Sequence, residues 1–126
     1  MKAETRKRLD KAARAIRASE RLGDAGDVDF AAARAYYAMF YIAEALLGEN
    51  ELRFRKHGGV HAALGEHFVR TGLLEPKFHR WLLDAFDKRI QADYGVEAPL
   101  TPEDVVQLIE QAREFEHHAR RLLGAR

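Results

Sequence analysis

The chain has 126 residues, 47% of them hydrophobic, no cysteine and a formal net charge of +1. That length suits a single domain, residues 1–126, which can form a core without staples, and the missing cysteine excludes a disulfide framework and thiol chemistry. No apolar run approaches the roughly 20 residues that span a bilayer, and MKAETRKRLDKAARAIRASERL has no apolar signal-peptide core, so a cytoplasmic protein with no membrane partner is expected.

The first predicted helix runs from about Glu4 to Leu22, with a thin apolar face of Leu9, Ala12, Ala13 and Ile16. It is strongly basic: residues 1–22 hold Lys2, Arg6, Lys7, Arg8, Lys11, Arg14, Arg17 and Arg21 against Glu4, Asp10 and Glu20. A second basic run, RFRKH, covers residues 53–57, whereas the acids of 97–116 face only Arg113. Such polarity can steer a phosphate-bearing ligand or an acidic partner; the plainer reading is a solvated basic helix. GDAGD (23–27) reads as a turn, with Asp27 or Asp29 capping the next helix.

The second helix, FAAARAYYAMFYIAEALL (30–47), is apolar nearly all round, interrupted only by Arg34 and Glu44. A helix of this kind sits at the centre of a bundle or between subunits. GENELRFRKHGG (48–59) reads as a loop, followed by a short helix over about Val60–Thr71 that Gly72 stops. The fourth helix runs from Pro76 to Tyr94, with Gly95 as a left-handed stop. The fifth opens on TPED (101–104): Thr101 caps, Pro102 takes the first position, and Val105, Leu108, Ile109, Ala112, Phe115, Ala119 and Leu122 make its stripe. The fold class is all-α, an antiparallel bundle of about five helices.

Two charges break the pattern. The stripe of Phe78, Leu82, Ala85 and Phe86 continues into Arg89 and Asp93 within RIQADYG (89–95). These two are spaced i, i+4, but in the weaker order, and the acid faces the negative helix end, so local helix stability does not explain them. The alternatives are a satisfied buried pair that fixes packing and a ligand, RNA or subunit cleft. Arg34, on the most apolar helix, needs a carboxylate, carbonyls or a phosphate, and Asp93 is a candidate partner; snorkelling to the surface is the bland alternative.

Tyr36, Tyr37, Phe40 and Tyr41 form an aromatic patch that suits core or dimer interface better than base stacking. HGGVH places His57 and His61 at i, i+4, but Gly58 and Gly59 argue against a continuous helix, and no HExxH or Cys/His set accompanies them, so no metal and no cofactor is expected. His57, beside Lys56, can donate to a phosphate or do acid–base work. His117 and His118 read as surface residues. No nucleophile elbow or Gly-rich phosphate cradle is present.

The order ARAYYAMFYIAEALL (33–47), KHGGVHAALGEHFVRTGLL (56–74), RIQADYG (89–95) resembles the HEPN domain superfamily, in particular small prokaryotic HEPN proteins with an Arg-Ala-Tyr-Tyr helix and an Arg-x3-Asp-Tyr motif. The resemblance spans about Glu4 to Leu122. It implies a helical bundle that dimerises, and a frequent partner, a minimal nucleotidyltransferase, often in a toxin–antitoxin pair. Catalytic relatives are metal-independent RNases in which Arg-x4–6-His from two copies faces a dimer cleft; the arginine stabilises phosphate charge and the histidine supports attack by the ribose 2′-OH. Arg89 matches the motif arginine. No histidine follows it at that distance; Asp93 and Tyr94 stand in its region.

Three readings follow. In the first, a homodimer binds a nucleotide or RNA, or regulates a nucleotidyltransferase, with Arg34, Tyr37, Lys56 and Arg89 as ligand-binding residues. The second is an endoribonuclease using Arg89 with Asp93, Tyr94 or His57. The third is a dimerisation scaffold in which the polar group is purely structural.

Overall fold

A computed structural model describes residues 1–95 and 100–124. Five α-helices follow in order: α1 (Ala3–Asp24), α2 (Val28–Glu49), α3 (His57–Leu64), α4 (Pro76–Tyr94) and α5 (Pro102–Leu122); one π-helical turn, Gly65–Val69, prolongs α3. There is no strand among the described residues, and no helix there is long and apolar enough to cross a membrane.

The nearly uniform apolarity of α2 dictates the architecture. A helix without a polar face has to be surrounded, and α2 packs against α1, α3, α4 and α5. Ala31, Ala32, Ala35, Ala38, Ala43 and Ala45 are buried along it, so neighbouring helices approach its backbone closely. Tyr36, Met39, Ile42 and Leu46 fill the centre, and α4 and α5 complete it with Phe78, Leu82, Leu108 and Phe115. The rings of Phe78 and Phe115 stack at 5.3 Å, and His118, expected at the surface, lies half-buried 4.9 Å from Phe78.

Polar bonds at both ends set the register of α1 against α2. Ser19 Oγ donates to the Ala31 carbonyl at 2.7 Å, and Thr5 Oγ1 donates to Glu49 Oε1 at 2.7 Å. Ser19 and Thr5 are both buried, and these bonds offset the cost of removing their hydroxyls from water. Joining residue 19 to 31 and residue 5 to 49 makes the pair antiparallel.

Helix ends depart from expectation in three places. Asp27 is the N-cap residue of α2, but its carboxylate makes no cap bond; the backbone turn closes through Asp27 N–H to Leu22 O at 2.9 Å. Gly95 is extended (φ −82°, ψ 131°), not left-handed; its N–H donates to Gln91 O at 2.7 Å, and a Cβ there would lie 2.5 Å from that oxygen. A side chain is therefore excluded by collision rather than by handedness. Gly72 does take the left-handed conformation, at φ 80°. Third, α3 begins at His57, three residues before the expected start.

At α5 the capping box forms in full: Thr101 Oγ1 accepts from the Asp104 N–H at 3.1 Å, and Asp104 Oδ2 accepts from the Thr101 N–H at 2.9 Å. The two caps therefore separate in a substitution experiment. Thr101→Ala is expected to lower stability by about 1 kcal/mol, and Asp27→Ala by only a few tenths, as read from urea unfolding midpoints with unchanged slopes.

Candidate functional site

Consecutive positions on α2 place Tyr36 inside the bundle and Tyr37 at its surface, because a step of one residue turns the helix by about 100°. Tyr37 is half-buried and forms the wall of an open groove of about 440 Å³ lined by Leu22, Phe30, Ala33, Arg34, Tyr37, Arg89 and Asp93. The groove thus unites four residues of the sequence reading: Arg34 and Tyr37 from α2, Arg89 and Asp93 from α4.

Two guanidinium groups converge on one ring. Arg34 Cζ lies 4.8 Å, and Arg89 Cζ 5.2 Å, from the Tyr37 centroid. Within about 6 Å of an aromatic face a cation is held by the ring quadrupole. Arg89 Nε also meets Asp93 Oδ2 at 3.3 Å, with the two side chains 23% and 37% exposed. The pair is a partly solvated edge of the groove, not a buried packing device, so its unfavourable order costs only tenths of a kcal/mol. Arg34 makes no ion pair among the described residues; the Arg34–Asp93 pairing does not form, and Arg34 rests on Tyr37 instead. Tyr94 is 78% exposed at the end of α4 and Lys56 is exposed ahead of α3; neither lines the groove.

Behind Tyr37 lies a second set of groups. Because α3 is helical from His57, His57 and His61 share one face and both reach Tyr36. Tyr36 Oη is 2.7 Å from His57 Nδ1 and 2.8 Å from His61 Nε2. Tyr36 is wholly buried and His61 nearly so, while His57 is half-buried. The His57 ring stacks on Phe40 at 4.3 Å and meets Tyr37 edge-on at 5.8 Å, so His57 and Arg89 pack against the same Tyr37 ring. Phe86, one turn before Arg89, closes over His57 and His61 at 6.0 and 5.0 Å. His79 Nε2 is 2.9 Å from the His61 carbonyl, in the space left by Gly65, where a Cβ would lie 3.1 Å from the His79 ring.

The electrostatics follow the packing. Burial pushes the Tyr36 hydroxyl well above its ordinary range, with Tyr37 adding to the shift, so it is a neutral phenol. Burial lowers the His61 pKa to about 4, helped by the neighbouring His57 and His79 and opposed by Asp87. His57 is lowered by its own burial and then by the Arg89 cation. No cluster of His, Asp and Glu suited to a metal occurs among the described residues. Sequence reasoning singled out His57 but missed Tyr36 and His61 as its partners. The i, i+4 histidine spacing was the available signal, masked by the glycine pair between them.

A family model of the HEPN domain matches residues 5–122. A Methanocaldococcus jannaschii protein named "Putative toxin" is 31% identical over 122 residues, 97% of this chain and 83% of that protein. A UPF0332 protein of Gloeobacter violaceus is 35% identical over 108 residues, 85% of this chain and 86% of its own length. A second M. jannaschii protein carrying the same toxin name is 39% identical over 85 residues, 68% of this chain and 63% of that protein.

The depressed His61 pKa has a consequence for stability. The unfolded chain takes up a proton near pH 6.5 and the folded chain only near pH 4, so the unfolded state binds more protons between these values. The stabilisation is complete above about pH 6.5 and is lost as pH falls towards 4, a decline of roughly 3 kcal/mol from this group. Urea unfolding across that window is expected to show the decline, and to show less of it in His61→Gln.

Proposed function

The chain belongs to the HEPN domain family, and from that premise we propose that it binds the phosphate of a nucleotide or an RNA in the Arg34–Tyr37–Arg89 groove and works as a homodimer. In this reading it is the binding or regulatory member of a pair with a minimal nucleotidyltransferase, of the toxin–antitoxin kind. The observation that carries the reading is the convergence of two half-exposed guanidiniums on one tyrosine at an open groove, Arg34 having no carboxylate partner among the described residues. A guanidinium presents a planar fork of donors that suits a phosphate, and here the cations stay accessible enough to take one. Asp93 holds Arg89 in the free protein, and an incoming phosphate competes for it. Phe30, 62% exposed on the same groove, offers a face on which a base can stack.

The surroundings support the same reading. Lys7, Lys11, Arg14 and Arg21 are exposed on α1, with no ion pair among the described residues, and Lys11 Nζ lies 4.7 Å over the Tyr41 ring, itself 6.0 Å from Tyr37. Positive potential therefore extends from α1 to the groove and favours an approaching anion. Ile90 and Tyr94 are large exposed groups on α4, outside the groove, suited to cover by a second copy. The toxin names of two M. jannaschii relatives fit the proposed pairing.

A second reading, a metal-independent endoribonuclease, is favoured by one observation: His57 packs against the ring that carries Arg89. Arg89 would stabilise charge on the phosphate and His57 would take the 2′-OH proton, with Asp93 holding Arg89 and Tyr94 available only to a partner's groove. It requires RNA cleavage in EDTA that leaves a 2′,3′-cyclic phosphate and is lost in His57→Ala; intact RNA after incubation with the folded wild type rejects it.

For the principal reading, ATP and a short single-stranded RNA are titrated against wild type, Arg34→Ala and Arg89→Ala. Losing one charge-assisted bond to phosphate weakens binding by roughly 10–100-fold, and circular dichroism is expected to stay unchanged. Equal affinities in all three proteins, for both ligands and for a co-encoded nucleotidyltransferase, would defeat it.

A further inference from the structure

The Tyr36 hydroxyl sits between two imidazole nitrogens, His57 Nδ1 at 2.7 Å and His61 Nε2 at 2.8 Å, and it has only one proton to give. It therefore donates to one ring and accepts an N–H from the other. If it donates to His61 Nε2, His57 carries its proton on Nδ1 and leaves Nε2 as an open acceptor. If it donates to His57 Nδ1, His57 carries its proton on Nε2 and His61 donates from Nε2. One phenolic proton thus couples the tautomers of two histidines on successive turns of α3.

The surroundings choose between these arrangements once a proton is added. His61 is buried and His57 half-buried, so the charge belongs on His57. An imidazolium at His57 has an N–H on Nδ1, which needs an acceptor, and Tyr36 can accept only while its own proton is turned to His61. The first arrangement alone serves His57 in both its neutral and its charged form.

We propose that Tyr36 and His61 are positioning residues that make His57 the proton acceptor behind the groove wall, its Nδ1 committed to Tyr36 and its Nε2 taking up a proton when an anion binds beside Arg89. The step balances: an N–H bond forms at Nε2 with a proton from solvent, and the two bonds at Tyr36 keep their direction. The charged and titratable groups about His57 are Arg89 on α4, with Asp93 paired to it, Tyr36 and Tyr37 on α2, His61 on its own helix and the exposed Lys56 that precedes it. Of these, Arg89 is the cation that opposes a charge on His57, so an anion that neutralises Arg89 makes protonation easier. This coupling rests on the reading that the groove binds anions; the tautomer assignment does not.

The experiment is nitrogen NMR of histidine-labelled full-length protein, with inorganic sulfate as an anion whose charge is constant over the range. At neutral pH, wild-type His57 is expected to be protonated on Nδ1. His61→Leu removes the acceptor, turns the Tyr36 proton to His57, and is expected to move the His57 proton to Nε2. His61→Gln, which restores a carbonyl acceptor, is expected to recover the wild-type form, and Tyr36→Phe to abolish the difference between His61→Leu and wild type. A role in packing alone would not move a tautomer this way. With sulfate, the His57 midpoint is expected to rise by about half a pH unit or more in wild type and to stay in place in Arg89→Gln. Wild-type His57 protonated on Nε2, or a tautomer indifferent to His61→Leu, overturns the proposal even if Tyr36→Phe fails to fold. Sulfate that perturbs neither Arg89 nor His57 defeats the groove reading and the proton uptake with it, leaving the tautomer result to judge the positioning roles.

Discussion

A phenol hydroxyl at the centre of an otherwise apolar helix is the constraint on which the rest of this structure depends. The hydrogen-bond partners of the Tyr36 hydroxyl come from α3 and not from α2, and a buried hydroxyl without a partner costs about 1–3 kcal/mol. Two imidazoles on α3 satisfy it. For both to reach one oxygen they must stand on one helix face a turn apart, so α3 has to be helical from His57 onward. That placement fixes where α3 lies against α2, and Phe86 of α4 then closes over the three rings at 5.4, 6.0 and 5.0 Å. One turn further along α4 stands Arg89. The groove's position thus follows from the demand of a group that does not line it.

Much of the fold was legible because it rests on local rules. The apolar stripes of α4 and α5, the Pro76 and Pro102 starts and the Thr101 cap depend on residues within a turn or two of one another, and the structure has them where the pattern puts them, except that Leu122, expected on the α5 stripe, is exposed. The encirclement of α2 was legible for a different reason, since an apolar helix admits few other environments. The start of α3 was not. Two adjacent glycines disfavour a helix by about 2 kcal/mol together, and the terms that outweigh this, the hydrogen bonds to Tyr36 and the stacking of His57 on Phe40, connect segments some 20 residues apart. Gly95 shows the converse: a glycine after a helix was the right residue with the wrong reason, because the carbonyl it must approach becomes visible only with the backbone in place.

The candidate site was legible as a location before it was legible as a mechanism. Arg89 and Asp93 stood out because charges on a core stripe are anomalous, and the anomaly pointed to the groove. The structure removes the premise of burial: α4 carries Phe78, Leu82 and Ala85 into the core, but its stripe leaves the bundle before Arg89. A half-exposed pair of this kind contributes well under 1 kcal/mol. The purely structural reading therefore loses its motive, since there is little stability for the pair to supply. Arg34 passes the same test more simply, resting on Tyr37 and forming no ion pair among the described residues.

Tyr37 divides the site into a wet side and a dry side, and Arg89 acts on both. On the groove side its guanidinium keeps enough water that exchanging Asp93 for another anion carries a small desolvation cost, which is the requirement for a binding cation rather than a structural one. On the inner side the same charge is felt by His57 through a ring and a half-buried space, where the dielectric is lower and the field correspondingly stronger. A cation wholly buried would be locked to its carboxylate, and one wholly exposed would be screened from the imidazole. In the proposed reading, the intermediate burial of Arg89 would let an anion in the groove be felt at His57, Tyr36 and His61 without any helix having to move.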